Sequence, residues 1–82
     1  MYYMYILYSI AYNRFYIGQT NNIENRLRRH NSGYVKSTKA FKPWELVYEE
    51  VFHSRAESMA RESYLKNLKS KKAINKLVDA SR

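Results

Sequence analysis

The segment from Tyr16 to His30 carries the side chains with the clearest capacity for chemistry. Arg26 and His30 are four residues apart, so on a helix they are neighbours that border one apolar stripe. A guanidinium can hold the non-bridging oxygens of a phosphate, and an imidazole can exchange a proton near neutral pH. Each residue also has a structural explanation, because Arg26 alone suits a solvated helix arginine and His30 suits a cation at a helix C-terminus.

A strand followed by a helix must position these side chains. An apolar, aromatic strand ends near residue 17, and Gly18 predicts a structural turn that a side chain would obstruct. Either Asn21 or Asn22 caps the helix that follows, because Asn side chains accept hydrogen bonds from the first turn. Residues 31–33 are expected to end this helix.

The rest of the chain predicts a mixed set of elements. We expect strands at 1–9, 14–19 and 44–52, helices capped by Ser54 and Ser70, and a loop over a binding face at 34–42. The order is strand, strand, helix, strand, helix, helix. A hairpin without alternating crossover units indicates an α+β fold with a small antiparallel sheet flanked by helices. No linker-like break interrupts the sequence, so we expect one domain over residues 1–82.

Two further packing predictions follow from periodicity. The helix after Ser54 should pack an apolar stripe formed by Ala56, Met59, Ala60, Tyr64, Leu65 and Leu68. Strict alternation in the third strand should place Leu46 and Tyr48 on the same face of the sheet.

The charge of the chain indicates a polyanionic partner. Fifteen Lys and Arg against seven Asp and Glu give a formal charge of +8 and a pI near 9.8. Nucleic acid is the favoured partner, although a basic pI also suits solubility or an acidic protein. The predicted nucleic-acid-binding lysines are Lys36, Lys39, Lys42, Lys66, Lys69, Lys71 and Lys72, and their alternative is a solvated surface. Trp44 is favoured as core over a base-stacking residue.

The same sequence argues against several other classes of protein. It contains no Cys, so disulfide frameworks and thiolate metal sites are excluded. The apolar run Met1 to Leu7 is too short to span a bilayer and lacks the basic flank of a signal peptide. We therefore expect a cytoplasmic protein with no membrane partner.

The ordered set Tyr3-Met4-Tyr5, Tyr16-Ile17-Gly18, Arg26, His30 and Glu62 resembles the GIY-YIG nuclease family. Three further stretches resemble its small stand-alone bacterial subgroup, which is related to the N-terminal nuclease domain of the bacterial excinuclease: Ser37-Thr38-Lys39, Pro43 to Tyr48 and Ala60-Arg61-Glu62. Tyr3 and Met4 stand where the first motif usually has Gly and Ile. The resemblance implies a three-stranded antiparallel sheet and metal-dependent cleavage of one phosphodiester bond.

The resemblance also implies a role for each matching residue. Tyr5 and Tyr16 correspond to the motif tyrosines, Arg26 to the phosphate-binding arginine and His30 to a polar position one turn later. Glu62 corresponds to the metal-binding carboxylate, and Asn75 is a weak candidate for a late polar residue. Outside this context both tyrosines suit ordinary sheet positions, and Glu62 suits an exposed pair with the lysine four residues later.

From these residues we predict an endonuclease that depends on Mg²⁺ or Mn²⁺ and acts on DNA, including repair or recombination intermediates. Which tyrosine accepts the proton of the attacking water stays open. Two alternatives remain: a nucleic-acid-binding module without cleavage, for which RNA is a possible client, and a protein-interaction adaptor. A homodimer or an accessory protein would supply target specificity.

Overall fold

The computed structural model describes residues 1–81, so the last residue of the predicted domain, Arg82, lies outside the described residues. The elements are β1 (Tyr2–Ser9), β2 (Arg14–Thr20), α1 (Ile23–Asn31), a single 3₁₀ turn (Lys39–Phe41), β3 (Glu45–Phe52), α2 (Arg55–Leu68) and α3 (Lys71–Ala80). The predicted α+β fold and the predicted order of elements are confirmed. No helix within residues 1–81 is long and apolar enough to cross a membrane.

The three strands form one antiparallel sheet in the order β2-β1-β3. The central strand, β1, is almost entirely apolar, which suits a strand that is covered on both faces. Tyr5 in the middle of β1 lies opposite Gly18 of β2 and Glu49 of β3. The outer sides of β2 and β3 are sheet edges.

Each face of the sheet packs a separate apolar cluster. The α2/α3 core lies beneath those two helices and consists of Met4, Ile6, Ile17, Leu65, Ile74 and Val78. The α1 core lies on the other face and consists of Tyr5, Leu7 and Trp44, with Ile23 and Leu27 of α1 against it. Alternation along β1 therefore sends Tyr5 toward α1 and its neighbours Met4 and Ile6 toward α2 and α3.

The three helices begin at the predicted polar caps. The side chain of Asn22 accepts from the backbone N–H of Asn25, and that of Ser54 accepts from the N–H of Glu57. Ser70 caps α3 in the same way. A side-chain cap of this type stabilises a helix by about 1 kcal/mol.

The apolar stripe predicted for α2 is confirmed at Leu65 and is wrong at its other members. Met59, Tyr64 and Leu68 are exposed by 40% or more, while Ser58 is fully buried and Leu65 packs in the α2/α3 core. On the side of α2 that faces the sheet, the Arg61 guanidinium donates to both carboxylate oxygens of Glu50 on β3, over 2.9 and 3.1 Å. The polar side of α2 is therefore held against the sheet.

The strict alternation predicted for β3 is also wrong. A register irregularity between Ile6 and Leu7 places Tyr48 opposite Ile6 but Leu46 opposite Leu7. Leu46 therefore packs on the α1 core and Tyr48 on the α2/α3 core. Trp44 precedes β3, is 5% exposed and lies in the α1 core, as favoured from the sequence.

Candidate active site

Gly18 does not form the predicted turn, because it lies inside β2, which continues to Thr20. Its role is close packing. A Cβ at this position would lie 2.5 Å from Oη and 2.7 Å from Cζ of Tyr5, distances that real Cβ atoms do not adopt. The missing side chain therefore makes room for the phenol of Tyr5 beside the neighbouring strand.

The Tyr5 phenol begins a chain of buried hydrogen bonds. Its hydroxyl lies 3.1 Å from Nε2 of His30, and Nδ1 of His30 lies 2.8 Å from Oγ1 of Thr38. The Thr38 hydroxyl donates to the carbonyl of Val35 over 3.3 Å. Since Thr38 has one proton to donate, it accepts from Nδ1–H of His30, and Nε2 is left to accept from Tyr5.

Burial sets the protonation states of Tyr5 and His30. Burial raises the pKa of Tyr5 well above its usual value, assisted by Tyr16 and opposed by Arg26. Burial, with the nearby Arg26 and Arg29 charges, lowers the pKa of His30 to about 4. At neutral pH both side chains are uncharged, which agrees with a phenol that donates to a neutral imidazole.

Tyr16 lies against the same two rings but is partly exposed. Its ring centroid is 4.7 Å from that of His30 and 6.2 Å from that of Tyr5. On its outer side the Lys66 ammonium lies 5.7 Å from the ring centroid, within the range of a cation–π contact. Tyr16 therefore stands between the buried pair and a basic surface.

Arg26 and Glu62 complete the group. Arg26 lies one turn before His30 on α1, and its charge opposes the rise that burial causes in the pKa of Tyr5, whereas the Glu62 charge adds to that rise. The Glu62 side chain is 19% exposed and pairs with Lys66 at 3.3 Å. The structure thus brings Tyr5, Tyr16, Arg26, His30 and Glu62 into one neighbourhood.

The donor set near Tyr5 offers one carboxylate for a cation. No group of three or more His, Asp or Glu side chains suited to a metal occurs in residues 1–81. A single partly exposed carboxylate fits Mg²⁺ or Mn²⁺, because these hard ions retain water and take substrate phosphate oxygens as further ligands. It does not fit a structural zinc site, which needs four protein ligands.

Asn75 is not brought to this group. It is exposed on α3 beside the buried Ile74, and within residues 1–81 its side chain makes no hydrogen bond to any member of the group. The interpretation of Asn75 as a late polar site residue therefore has no support from its position.

The predicted basic residues divide by environment. The loop lysines Lys36, Lys39 and Lys42 are exposed, as are Lys69 and Lys72. Lys66 is committed to the Glu62 pair and the Tyr16 ring, and Lys71 donates to the backbone carbonyl of Asn13. Glu62 and Lys66 thus form the ion pair that the structural alternative predicts. The pair lies beside the motif tyrosines, and its carboxylate is mostly buried.

Thr38 is the site residue that sequence reasoning did not single out. It is 2% exposed, and besides holding His30 its carbonyl accepts the indole N–H of Trp44 over 2.9 Å. Nothing in its loop distinguishes it from nearby serines. Its place in the stretch Ser37-Thr38-Lys39 was the available signal.

Known proteins resemble this chain over most of its length. The GIY-YIG catalytic domain matches residues 1–76. A UPF0213 protein of Natronomonas pharaonis is 37% identical over 78 residues, which cover 94% of this chain and 91% of that protein. One of Bacillus licheniformis is 44% identical over 70 residues, covering 84% of this chain and 71% of the relative.

Other relatives are covered less fully, and one has a solved structure. A UPF0213 protein of Clostridium perfringens is 44% identical over 54 residues, and the match covers 58% of its length, less than two thirds. The solution NMR structure of a UPF0213 protein from Bacillus halodurans superimposes with a TM-score of 0.60 at 33% identity. That match covers 98% of this chain and 85% of the other.

Proposed function

The chain belongs to the GIY-YIG family and is similar to its UPF0213 proteins, and on this premise we propose that it is a metal-dependent endonuclease acting on DNA. The hydrogen bond from Tyr5 to Nε2 of His30 is the observation that carries the proposal. It supplies what hydrolysis needs from the protein, namely a place for the proton of the attacking water.

The proton path begins at the attacking water. As its oxygen bonds to phosphorus, the water gives a proton to Oη of Tyr5, and Tyr5 gives its own proton to Nε2 of His30. The phenol alone is a poor base because its raised pKa disfavours the phenolate. Coupling the two transfers avoids a free phenolate, since the hydroxyl is never without a proton. The leaving alkoxide takes a proton from solvent.

His30 is prepared to receive this proton and to return it. Its Nδ1–H is held by Thr38, so Nε2 carries the lone pair in the resting state. The Arg26 charge disfavours an imidazolium. When a phosphate anion lies against the guanidinium, that charge is offset, so we expect His30 to become more basic when substrate is bound.

Arg26 and Glu62 act on the phosphate. The guanidinium holds two non-bridging oxygens and stabilises the negative charge that grows in the transition state. Glu62 would hold Mg²⁺ or Mn²⁺ after Lys66 moves from its carboxylate. When bound, such an ion supplies Lewis-acid stabilisation of the phosphate and the leaving oxygen.

The substrate and setting are part of the same proposal. DNA is the favoured substrate, and RNA is the principal alternative that a backbone-binding surface would also accept. A homodimer or an accessory protein would provide target choice, and we place the protein in the cytoplasm with its nucleic acid.

Cleavage of labelled DNA tests the proposal. Purified protein is incubated with single-stranded, duplex, flapped and branched substrates in Mg²⁺, Mn²⁺ or chelator. Arg26→Ala and Glu62→Ala should each reduce cleavage by at least about 100-fold, the usual cost of losing an electrostatic contact to the transition state. Arg28→Ala, which removes an exposed arginine from the same helix, is the matched control and should retain activity.

Circular dichroism and thermal melting verify that each variant is folded. Full turnover by a folded Arg26 or Glu62 variant would contradict the roles given to these residues. Absence of cleavage by wild-type protein on every substrate and metal would contradict the function itself.

The Glu62–Lys66 pair supports a second candidate, a nucleic-acid-binding module that does not cleave. An ammonium 3.3 Å from the carboxylate already neutralises the acidic group beside the tyrosines. This candidate predicts binding that weakens steeply with salt, no turnover in any divalent metal, and no effect of Glu62→Ala except on stability.

A further inference from the structure

A cavity opens at the outer edge of β2, where α2 passes into α3. Its volume is about 440 Å³, and its walls include Phe15, Tyr16, Leu65, Lys66, Lys69 and Lys71. We propose that this β2-edge cavity binds one unpaired nucleotide of DNA beside the bond that is cut. The inference rests on the proposed function for the identity of the polymer.

The walls of the cavity match the two halves of a nucleotide. Phe15 and Tyr16 point to opposite faces of β2, and both reach the cavity because it lies at the strand edge. Together with Leu65 and Ile74 they form an aromatic and aliphatic surface. A phosphate gains nothing from such a surface, whereas a base stacks on it regardless of its sequence.

The rim of the cavity is basic, and its lysines differ in whether their ammonium groups already have a partner in the protein. Lys71 donates to the carbonyl of Asn13, and Lys66 pairs with Glu62. Within residues 1–81, the Lys69 ammonium forms neither an ion pair nor a side-chain hydrogen bond. Of the three rim lysines, Lys69 is therefore the one available to a phosphate, while Arg14, which also lines the cavity, lies over the Phe41 ring at 4.3 Å.

The backbone of Lys69 supports a role beyond structure. It ends α2 in the left-handed region, with φ of 48°, a position that helices usually fill with glycine. A lysine here is less favourable than glycine, because its Cβ crowds the backbone in the left-handed region. The chain thus has a lysine at a position where the backbone conformation favours glycine.

The cavity is continuous with the candidate active site. Tyr16 lines it and its ring also contacts that of His30, and Lys66 lines it and also pairs with Glu62. A strand whose phosphate lies between Arg26 and Glu62 would therefore place a neighbouring nucleotide here. A base inside a duplex is stacked on both sides and cannot enter, so the preferred substrate has an unpaired base next to the cut.

The test compares DNA with and without bases. Wild-type protein in chelator, where no metal-dependent cleavage occurs, is titrated into a labelled oligothymidylate and into an abasic strand of equal length and charge. We expect the base-containing strand to bind at least about fivefold more tightly, the lower end of the contribution of one stacked base. Amide shifts in NMR spectra should be largest at Phe15, Lys69 and Lys71.

Two pairs of variants localise the effect. Lys69→Gly removes the ammonium, suits the left-handed backbone and should weaken binding of both strands, whereas Lys72→Ala, on the exposed face of α3, should weaken it less. Phe15→Ala should reduce the preference for bases. Phe15→Leu keeps apolar volume for the core without the ring, so a folded variant is available even if the alanine variant is unstable.

The outcomes separate this inference from the proposed function. Equal affinity for the two strands, or shifts confined to the loop at 36–42, would overturn the cavity assignment and leave cleavage untouched. A base preference located at the cavity, without cleavage in any metal, would support the assignment and contradict the nuclease. Faster cleavage of flapped or mismatched DNA than of duplex is expected when both are right.

Discussion

Gly18 and Tyr5 lie opposite each other in the β1–β2 ladder, and the Tyr5 phenol occupies the space that any side chain at position 18 would need. The glycine of the second motif and the tyrosine of the first are thus one packing unit. This contact directs the phenol toward His30 on α1, where its hydroxyl is hydrogen-bonded. The two motifs therefore depend on each other sterically.

We expect Gly18→Ala to destabilise the fold and to displace Tyr5. Overpacking of this kind costs roughly 1–3 kcal/mol, because the added Cβ meets both Oη and Cζ of the ring. Chemical denaturation measures the loss. Tyr5→Phe removes one of the two clashing atoms, so the double variant should lose less than the sum of the single changes. Strict additivity would show that the two residues are not coupled.

We expect loss of the Tyr5 hydroxyl to slow cleavage more than loss of the Tyr16 hydroxyl. Tyr5→Phe removes the hydroxyl that connects the water to His30 and should lower the cleavage rate by about 10²- to 10⁴-fold, the range for a lost general base. Tyr16→Phe keeps the ring that contacts His30 and should lower the rate less. Single-turnover rates measure both effects. A larger loss in the Tyr16 variant would assign the proton transfer to that residue instead.

We expect Thr38→Val to disturb His30 without large changes in shape. Valine leaves the Nδ1–H of His30 without an acceptor, at a cost of roughly 1–3 kcal/mol for a buried donor, and weakens the preference for one tautomer. Thr38→Ser retains the hydroxyl and should restore both. Nitrogen-15 NMR of the imidazole reads the tautomer directly, independently of activity. An unchanged ring spectrum in the valine variant would remove Thr38 from this role.

We expect His30 to make the folded state sensitive to acid. Its pKa falls from 6.5 to about 4 on folding, so between these values the unfolded chain binds the additional proton. The contribution of His30 to stability is therefore complete above pH 6.5 and is lost as pH falls toward 4. Melting temperatures of wild-type and His30→Gln protein should converge across this window. Parallel curves would contradict the burial of a neutral imidazole.

The sequence was sufficient for the elements and their order. Polar caps at Asn22, Ser54 and Ser70 marked helix starts, and the apolar run of β1 indicated a strand covered on both faces. These are local signals, set by the chemistry of one residue or by the period of a short stretch. Residue types alone could not reveal that Gly18 lies within a strand, since its function depends on a ring from another strand.

The remaining errors have the same cause. The side of α2 that packs carries the bond from Arg61 to Glu50, which joins residues eleven apart in the chain. The shift of Leu46 to the α1 core follows from a register irregularity against β1. Thr38 is important because His30, on a different segment, lies beside it. None of these tertiary contacts has a periodic signature in the sequence.

Arg61 and Glu62 are adjacent in α2 and face different tasks. The Arg61 guanidinium makes two hydrogen bonds to the Glu50 carboxylate, and this contact resists rotation of the helix about its axis. It therefore helps to keep the neighbouring Glu62 oriented toward the tyrosines. The orientation of the Glu62 carboxylate thus depends on a contact with β3. A substitution at Glu50 would therefore be tolerated only with a compensating change at Arg61, although neither side chain needs to contact a nucleic acid.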